Sequence, residues 1–405
     1  MRSRIDSQRR WCYIFPLGAG PLERPVAAPR HDQTRTMRTL DLQFAESIDS
    51  VSRALAEWTV ATMYERKPAL AARYGAEGRA LWRGEVANRL QHLAEAVAAD
   101  RVALLVDSVA WARAAFTARG MDEGDLVESL VVLEETLRSE LPKQIGERTS
   151  RFLGEAIHWL RHAQSAAATT EDDSVLASAI DAAGADSTRA RDYLRHLLER
   201  HQSRAVDTLL DAVKSGRTVA EVYETVIVPA LAEVGRMWHL GEATVADEHY
   251  VTTATQGAIA VLRGKLPQTP RHGKRALATS VGGDLHDIGI RMVADLLESE
   301  GWQVDCLGAN MPTVDLVEHA VDEVGRQQFH LILLSASTGL AVRSTAHAIA
   351  SLRAASTEAR VPIMVGGGVF VRVDGLWQAV GADGCAKSAS DSVRLARELT
   401  GLVAV

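Results

Sequence analysis

The chain has 405 residues, 47% hydrophobic and 24% charged, with a formal net charge of −7 at pH 7. That length predicts two or three domains, while the composition excludes large-scale disorder, collagen-like repeats and a coiled-coil rod, and the acidic balance disfavours direct binding to duplex DNA. No stretch reaches the roughly 18 to 20 apolar residues of a bilayer span, and three scattered cysteines (Cys12, Cys306, Cys385) suit a reducing cytoplasm better than a disulfide framework or zinc constellation. In chain order, residues 1–37 are arginine-rich, carry Pro16, Pro21, Pro25 and Pro29, and predict a disordered tail. Pro16 and Gly18 interrupt its apolar stretch, so a signal peptide is not expected, and Met37 is a candidate true start.

Residues 38–165 read as helical, with apolar residues at three-and-four spacing and breaks at Tyr74-Gly75, Gly120 and Leu141-Pro142. An all-α bundle of four to six helices is expected, and it resembles the helical sensory or partner-binding domains of stress-response regulators, which implies such a role here. Trp58, Trp82, Trp111 and Trp159 are assigned to its packing. His92, His158 and His162 are expected at the surface or at caps, since only His158 and His162 share a helix face and no Cys or carboxylate completes a metal set. Residues 166–188, with the acidic run Glu171-Asp172-Asp173, read as a flexible linker. Residues 189–266 return to helical periodicity as four helices, broken near Ser203, Ser215-Gly216 and Gly241.

From 274 to 405 short apolar runs alternate with amphipathic helical stretches. Ala276–Val281, Gln303–Leu307, Leu331–Ser335, Pro362–Val365 and Gly384–Ala386 read as strands. Five β/α units imply an α/β domain with a five-stranded, doubly wound, Rossmann-like parallel sheet, because parallel neighbours need crossover helices. Ligands of such sheets sit at the carboxyl ends of the strands.

The loop after the first strand reads Gly282-Gly283-Asp284-Leu285-His286-Asp287-Ile288-Gly289. It lacks the lysine of a P-loop and the GxGxxG frame of a dinucleotide fold. Asp284 is placed to accept the Nδ1 proton of His286, which fixes the tautomer and leaves Nε2 as a basic, single-imidazole metal ligand. The competing reading is a loop histidine with one ordinary hydrogen bond.

Asp284-x-His286-x-x-Gly289 after a strand resembles the cobalamin-binding signature of the corrinoid domains of methionine synthase and the mutases. The resemblance implies that His286 displaces the dimethylbenzimidazole base and ligates cobalt from below. It also implies a slot for the displaced nucleotide tail along Ser335-Ala336-Ser337-Thr338 and Gly366-Gly367-Gly368, small and hydroxylic residues that admit close backbone approach. Ser337 departs from that family, where an apolar residue is common. Gly381-Ala382-Asp383-Gly384 looks like the same family.

Upstream, Val228-Pro229-Ala230-Leu231, Val234-Gly235, Trp238-His239 and then Glu248-His249 resemble the helical cap of adenosylcobalamin photoreceptors related to CarH and LitR. That likeness implies that Trp238, Glu248 and His249 enclose an upper 5′-deoxyadenosyl group, with His239 able to take the upper cobalt position after photolysis. It covers Ala190 to the C-terminus, and no winged helix-turn-helix precedes it, so DNA binding is not carried over. The expectation is a non-enzymatic light sensor holding adenosylcobalamin base-off, with no catalytic residue, working as a homo-oligomer and through a protein partner of the N-terminal domain. Some relatives of this kind, the photocobilins, also bind a bilin as a second chromophore. The alternatives are a corrinoid methyl carrier serving a methyltransferase, and an antirepressor holding cobalamin or haem.

Overall fold

A computed structural model describes residues 37–166, 178–356 and 360–402. The tail read over 1–36, Cys12 and the acidic run of the linker lie outside the described residues. The chain divides into two compact units, one from Arg38 and one from Asp173 onward. No helix among the described residues is long and apolar enough to cross a membrane.

The first unit contains six helices among the described residues: α1 (Thr39–Arg66), α2 (Ala69–Tyr74), α3 (Gly78–Ala99), α4 (Val102–Ala118), α5 (Glu123–Glu140) and α6 (Lys143–Ala166). The three breaks read from sequence fall between helices, and two more occur at Lys67-Pro68 and Asp100-Arg101. Helix α3 packs against α1, α4 and α6, so residues around its whole circumference are buried over its second half. That corrects His92, which lies inside the bundle at 2% exposure rather than on the surface. Burial, then the nearby Arg89, pushes its pKa down to about 3, so the ring is neutral. His158 and His162 are exposed, as expected. Trp82 and Trp111 are buried and Trp159 is half-buried, but Trp58 is 49% exposed on the outer side of α1 and packs no core.

In the second unit a 3-10 turn over Asp181–Asp186 leads into α7 (Ser187–Leu198), α8 (Gln202–Lys214), α9 (Val219–Val222), α10 (Val228–Leu240) and α11 (Val245–Arg263). Helices α9 and α10 are one rod joined by a π-helical turn over Tyr223–Ile227. Pro229 opens α10 and has no N–H to return to the preceding turn, which suits a change of hydrogen-bond pattern there. Thr218 with Glu221 and Thr244 with Asp247 form capping boxes that fix the starts of α9 and α11. The last part of the segment read as linker is not free: Ile180 enters the cap core, and the Ala179 N–H donates to Glu233 at 2.9 Å.

The remaining elements are β1 (Arg275–Val281), α12 (Ile288–Ser299), β2 (Gln303–Met311), α13 (Thr313–Ala320), β3 (Leu331–Ser335), α14 (Val342–Ala355), β4 (Ile363–Gly366), α15 (Gly368–Arg372), α16 (Leu376–Ala379), β5 (Gly384–Cys385) and α17 (Ala389–Thr400). The five strands form one parallel sheet in the order β2-β1-β3-β4-β5. Leu331 to Ser335 are all buried, as a strand covered on both faces requires. The chain leaves β1 toward β2 and returns to β3 on the other side, so the switch point lies at the carboxyl ends of β1 and β3. The cap and the sheet share a core: Ile288, Met292 and Leu296 of α12 and Ala389 pack with Tyr223, Ile227, Ile259 and Leu262.

Candidate functional site

The loop between β1 and α12 carries Asp284 and His286 at the switch point. Asp284 is 1% exposed and its carboxylate collects three N–H groups. Oδ1 accepts from the His286 amide at 3.0 Å and stands 2.6 Å from His286 Nδ1, while Oδ2 accepts a short bond from the Ser337 amide. A buried carboxylate needs that many donors to offset its lost hydration. With Nδ1–H directed to the acid, the lone pair of the imidazole is on Nε2. That atom is buried and has no hydrogen-bond partner among the described residues. Ser280 Oγ donates to the His286 carbonyl at 2.8 Å and holds the same loop from below.

A second orphan lies beside it. Ser337 is fully buried, and its hydroxyl has no hydrogen-bond partner among the described residues. An unsatisfied buried polar atom costs about 1–3 kcal/mol, and these two belong to the loops that follow β1 and β3. Thr338 is buried next to it and starts the turn into α14.

A cavity of about 330 Å³ opens between the sheet and the cap. Ser335, Gly366, Gly367, Gly368 and Gly289 line it, so those sequence-predicted residues converge; Asp284, His286, Ser337 and Thr338 do not line it. The glycines differ in what they permit. A Cβ on Gly289 would meet nothing within 4 Å and one on Gly366 only the Ala386 carbonyl at 3.7 Å, so these two keep open space. Gly367, at φ +99, would drive a Cβ to 2.3 Å from the Ala336 carbonyl oxygen, so it is fixed by packing of the two strand-end loops.

Trp238 and His239 are half-buried at the end of α10, their rings 6.5 Å apart. Gly241, at φ +80, turns the chain into α11, whose first two turns carry Glu248 and His249. Glu248 is 9% exposed; Oε2 stands 2.8 Å from His249 Nδ1 and Oε1 accepts from Thr252 at 2.9 Å. One pair thus lies on the last turn of α10 and the other on the first turns of α11. The cap residues that line the cavity are instead Tyr223, Glu224 and Val228.

Several functional residues were missed by sequence reasoning. Asn310 Oδ1 accepts from the Gly283 amide at 2.7 Å and its own amide donates to the Asp284 carbonyl at 2.9 Å, bracing the histidine loop from β2. Arg372 and Lys387 bring positive charge to the cavity, and Gln256 of α11 reaches Asp287 at 3.2 Å, tying cap to loop. Asp383 of the fourth motif serves the sheet and does not line the cavity: it accepts from the Ile363 amide at 2.8 Å and pairs with Arg353 and Arg360.

Two family models, both described as B12 binding domain, match the chain, one over residues 274–395 and the other over 189–263. Dimethylamine corrinoid protein 1 of Methanosarcina mazei is 28% identical over 218 residues, 52% of this chain and 98% of that protein. A corrinoid protein of Desulfitobacterium hafniense is 28% identical over 199 residues, 48% of this chain and 84% of its own. The solved structure of the Methanosarcina barkeri monomethylamine corrinoid protein covers 53% of this chain and 99% of its own, at 21% identity and a TM-score of 0.47. The orphaned His286 Nε2, the orphaned Ser337 hydroxyl and the glycine-lined cavity fit a corrinoid. Residues 189–263 and 274–395 therefore form a two-part cobalamin-binding module, a helical cap followed by a Rossmann-like sheet domain.

Proposed function

We propose that this chain holds cobalamin base-off, with His286 Nε2 as the ligand to cobalt and the cavity between β3, β4 and the cap receiving the nucleotide tail. The observation that carries this reading is the buried, partnerless Nε2 of a histidine whose Nδ1 is anchored 2.6 Å from Asp284. Gly289 and Gly366 keep the cavity clear, and Arg372 and Lys387 add cationic charge to its lining, which would suit the phosphate of the tail. When bound, the corrin supplies a cobalt–carbon bond that can be made and broken.

For the use of that bond, the first reading is methyl carriage: the protein presents a methylated corrinoid to a separate methyltransferase and is not itself the enzyme. The relatives support it, since proteins named as dimethylamine corrinoid proteins align with the cap and sheet together over nearly their full length. The second reading is an adenosylcobalamin light sensor acting through a protein partner or an altered homo-oligomer. One observation favours it. Trp238 is not spent on the core, and Glu248 is pre-set by His249 and Thr252, an aromatic and polar corner suited to a bulky upper ligand.

Titration with methyl-, adenosyl- and hydroxocobalamin in the dark, followed by green light and light-scattering mass, separates the two. Carriage predicts methylcobalamin bound at least as tightly as the adenosyl form and a mass unchanged by light. Sensing predicts adenosyl preference, an irreversible spectral change and a change of mass, all weakened by Trp238→Ala. Binding of none of the three would refute both readings.

A further inference from the structure

The corner between α7 and α8 holds a group of side chains that the corrinoid site does not use. Helix α7 ends at Leu198, and Arg200 takes a left-handed φ of +64. That reversal lets the His201 amide reach the His196 carbonyl at 2.7 Å and folds His201 back over the last turn of α7. One ligand atom from each of His196, Glu199 and His201 then lies within 4.8 Å of the others. His201 Nδ1 is 3.4 Å from Glu199 Oε2, and His196 Nδ1 is buried without a hydrogen-bond partner among the described residues. Nearby cations have other partners: Arg195 pairs with Asp192 at 2.8 Å and Arg200 with Asp247 at 2.6 Å. Two imidazoles and a carboxylate form a borderline N/O donor set with a fourth position open, as zinc accepts.

We propose that His196, Glu199 and His201 bind a divalent transition-metal ion, with zinc as the probe, at a site separate from His286. The ion would clamp the end of α7 to the start of α8. Its effect reaches further through Arg200, which sits between two of the ligands in sequence, pairs with Asp247 and covers the Tyr250 ring at 4.3 Å. Asp247 and Tyr250 flank Glu248 and His249, so an ordered corner steadies the part of α11 that carries them. The spacing is His-x-x-Glu-x-His, which helical periodicity alone does not place on one side; the left-handed residue does.

The test uses the full chain stripped of metal and free of corrinoid, titrated with zinc by calorimetry. The expected result is a single zinc equivalent bound, with affinity reduced at least about tenfold by His201→Ala and by the exposed, fold-neutral Glu199→Gln. His286→Ala and the paired His158→Ala/His162→Ala variant are expected to bind as the parent does. Zinc-edge absorption should report two imidazoles in the parent and one in His201→Ala. No zinc binding at micromolar concentration, binding that survives loss of both His196 and His201, or binding lost with His158 and His162 would overturn the proposal.

Discussion

Asp284 is the residue on which the site turns, because one side chain sets both the histidine tautomer and the approach of the β3 loop. Replacing it with Asn keeps the shape but puts an amide donor against at least one N–H. Asp284→Asn is expected to lower corrinoid affinity by about 10–100-fold, the usual loss when a partner behind a metal ligand is changed, as measured by spectral titration. Gly366 and Gly367 separate cofactor space from fold. Gly367→Ala forces a Cβ into the Ala336 carbonyl at positive φ and should cost about 3 kcal/mol in denaturant unfolding. Gly366→Ala meets only an ordinary contact, so cofactor-free stability should hold while corrinoid affinity falls roughly tenfold, about 1.4 kcal/mol. The contact between Asp284 and His286 was legible in sequence because the two share one short loop after a recognisable strand. Asn310, Arg372 and Lys387 were not, since each reaches the site from a different element and only the assembled sheet brings them together.

Among elements, the ends of strands carry the discrepancies. β2 was read as ending at Leu307 but runs to Met311, through Gly308 at φ +81 and Asn310 at φ +54, conformations that erase the alternating pattern by which a strand is recognised. β5 is two residues long and survives because Asp383 pins β4 beside it. Burial alone would raise the Asp383 carboxyl, but the Ile363 N–H and the Arg353 and Arg360 guanidinium groups outweigh it and hold its pKa below the ordinary carboxylate value. A lowered folded pKa gives stability that is present above the unfolded pKa and lost as pH falls through the folded one. Asp383→Asn is therefore expected to lose about 1–2 kcal/mol at pH 7, with the deficit closing below about pH 4 in acid unfolding monitored by circular dichroism. The later breaks of the cap were legible because they fall at Ser215-Gly216 and Gly241, whereas the first lies at Glu199–His201 and not at Ser203, which is inside α8: a left-handed Arg200 makes that turn without a glycine or serine to announce it. The packing of Ile180 was not legible, because a lone apolar residue in a polar stretch has no period.

On the scale of the whole molecule, the cobalamin module and the N-terminal bundle are separate compact units, and the corrinoid relatives extend over about half of the chain. Within the module the cap and sheet share one core through α12. A fragment of residues 178–405 should fold and bind corrinoid with the affinity of the full chain in the same titration; loss of binding would place part of the site in the first unit. The fold class was legible from alternating strand and helix patterns, whereas the use of the corrinoid was not, because carriage and sensing share the same lower face and differ only above the ring. The lower face gives the most direct test. Protein labelled with ¹⁵N-histidine, loaded with cob(II)alamin and read by electron paramagnetic resonance, should show the axial nitrogen splitting as a doublet, and His286→Ala should lose it. A triplet from the unlabelled base of the cofactor, or a doublet that survives His286→Ala, would contradict His286 as the ligand.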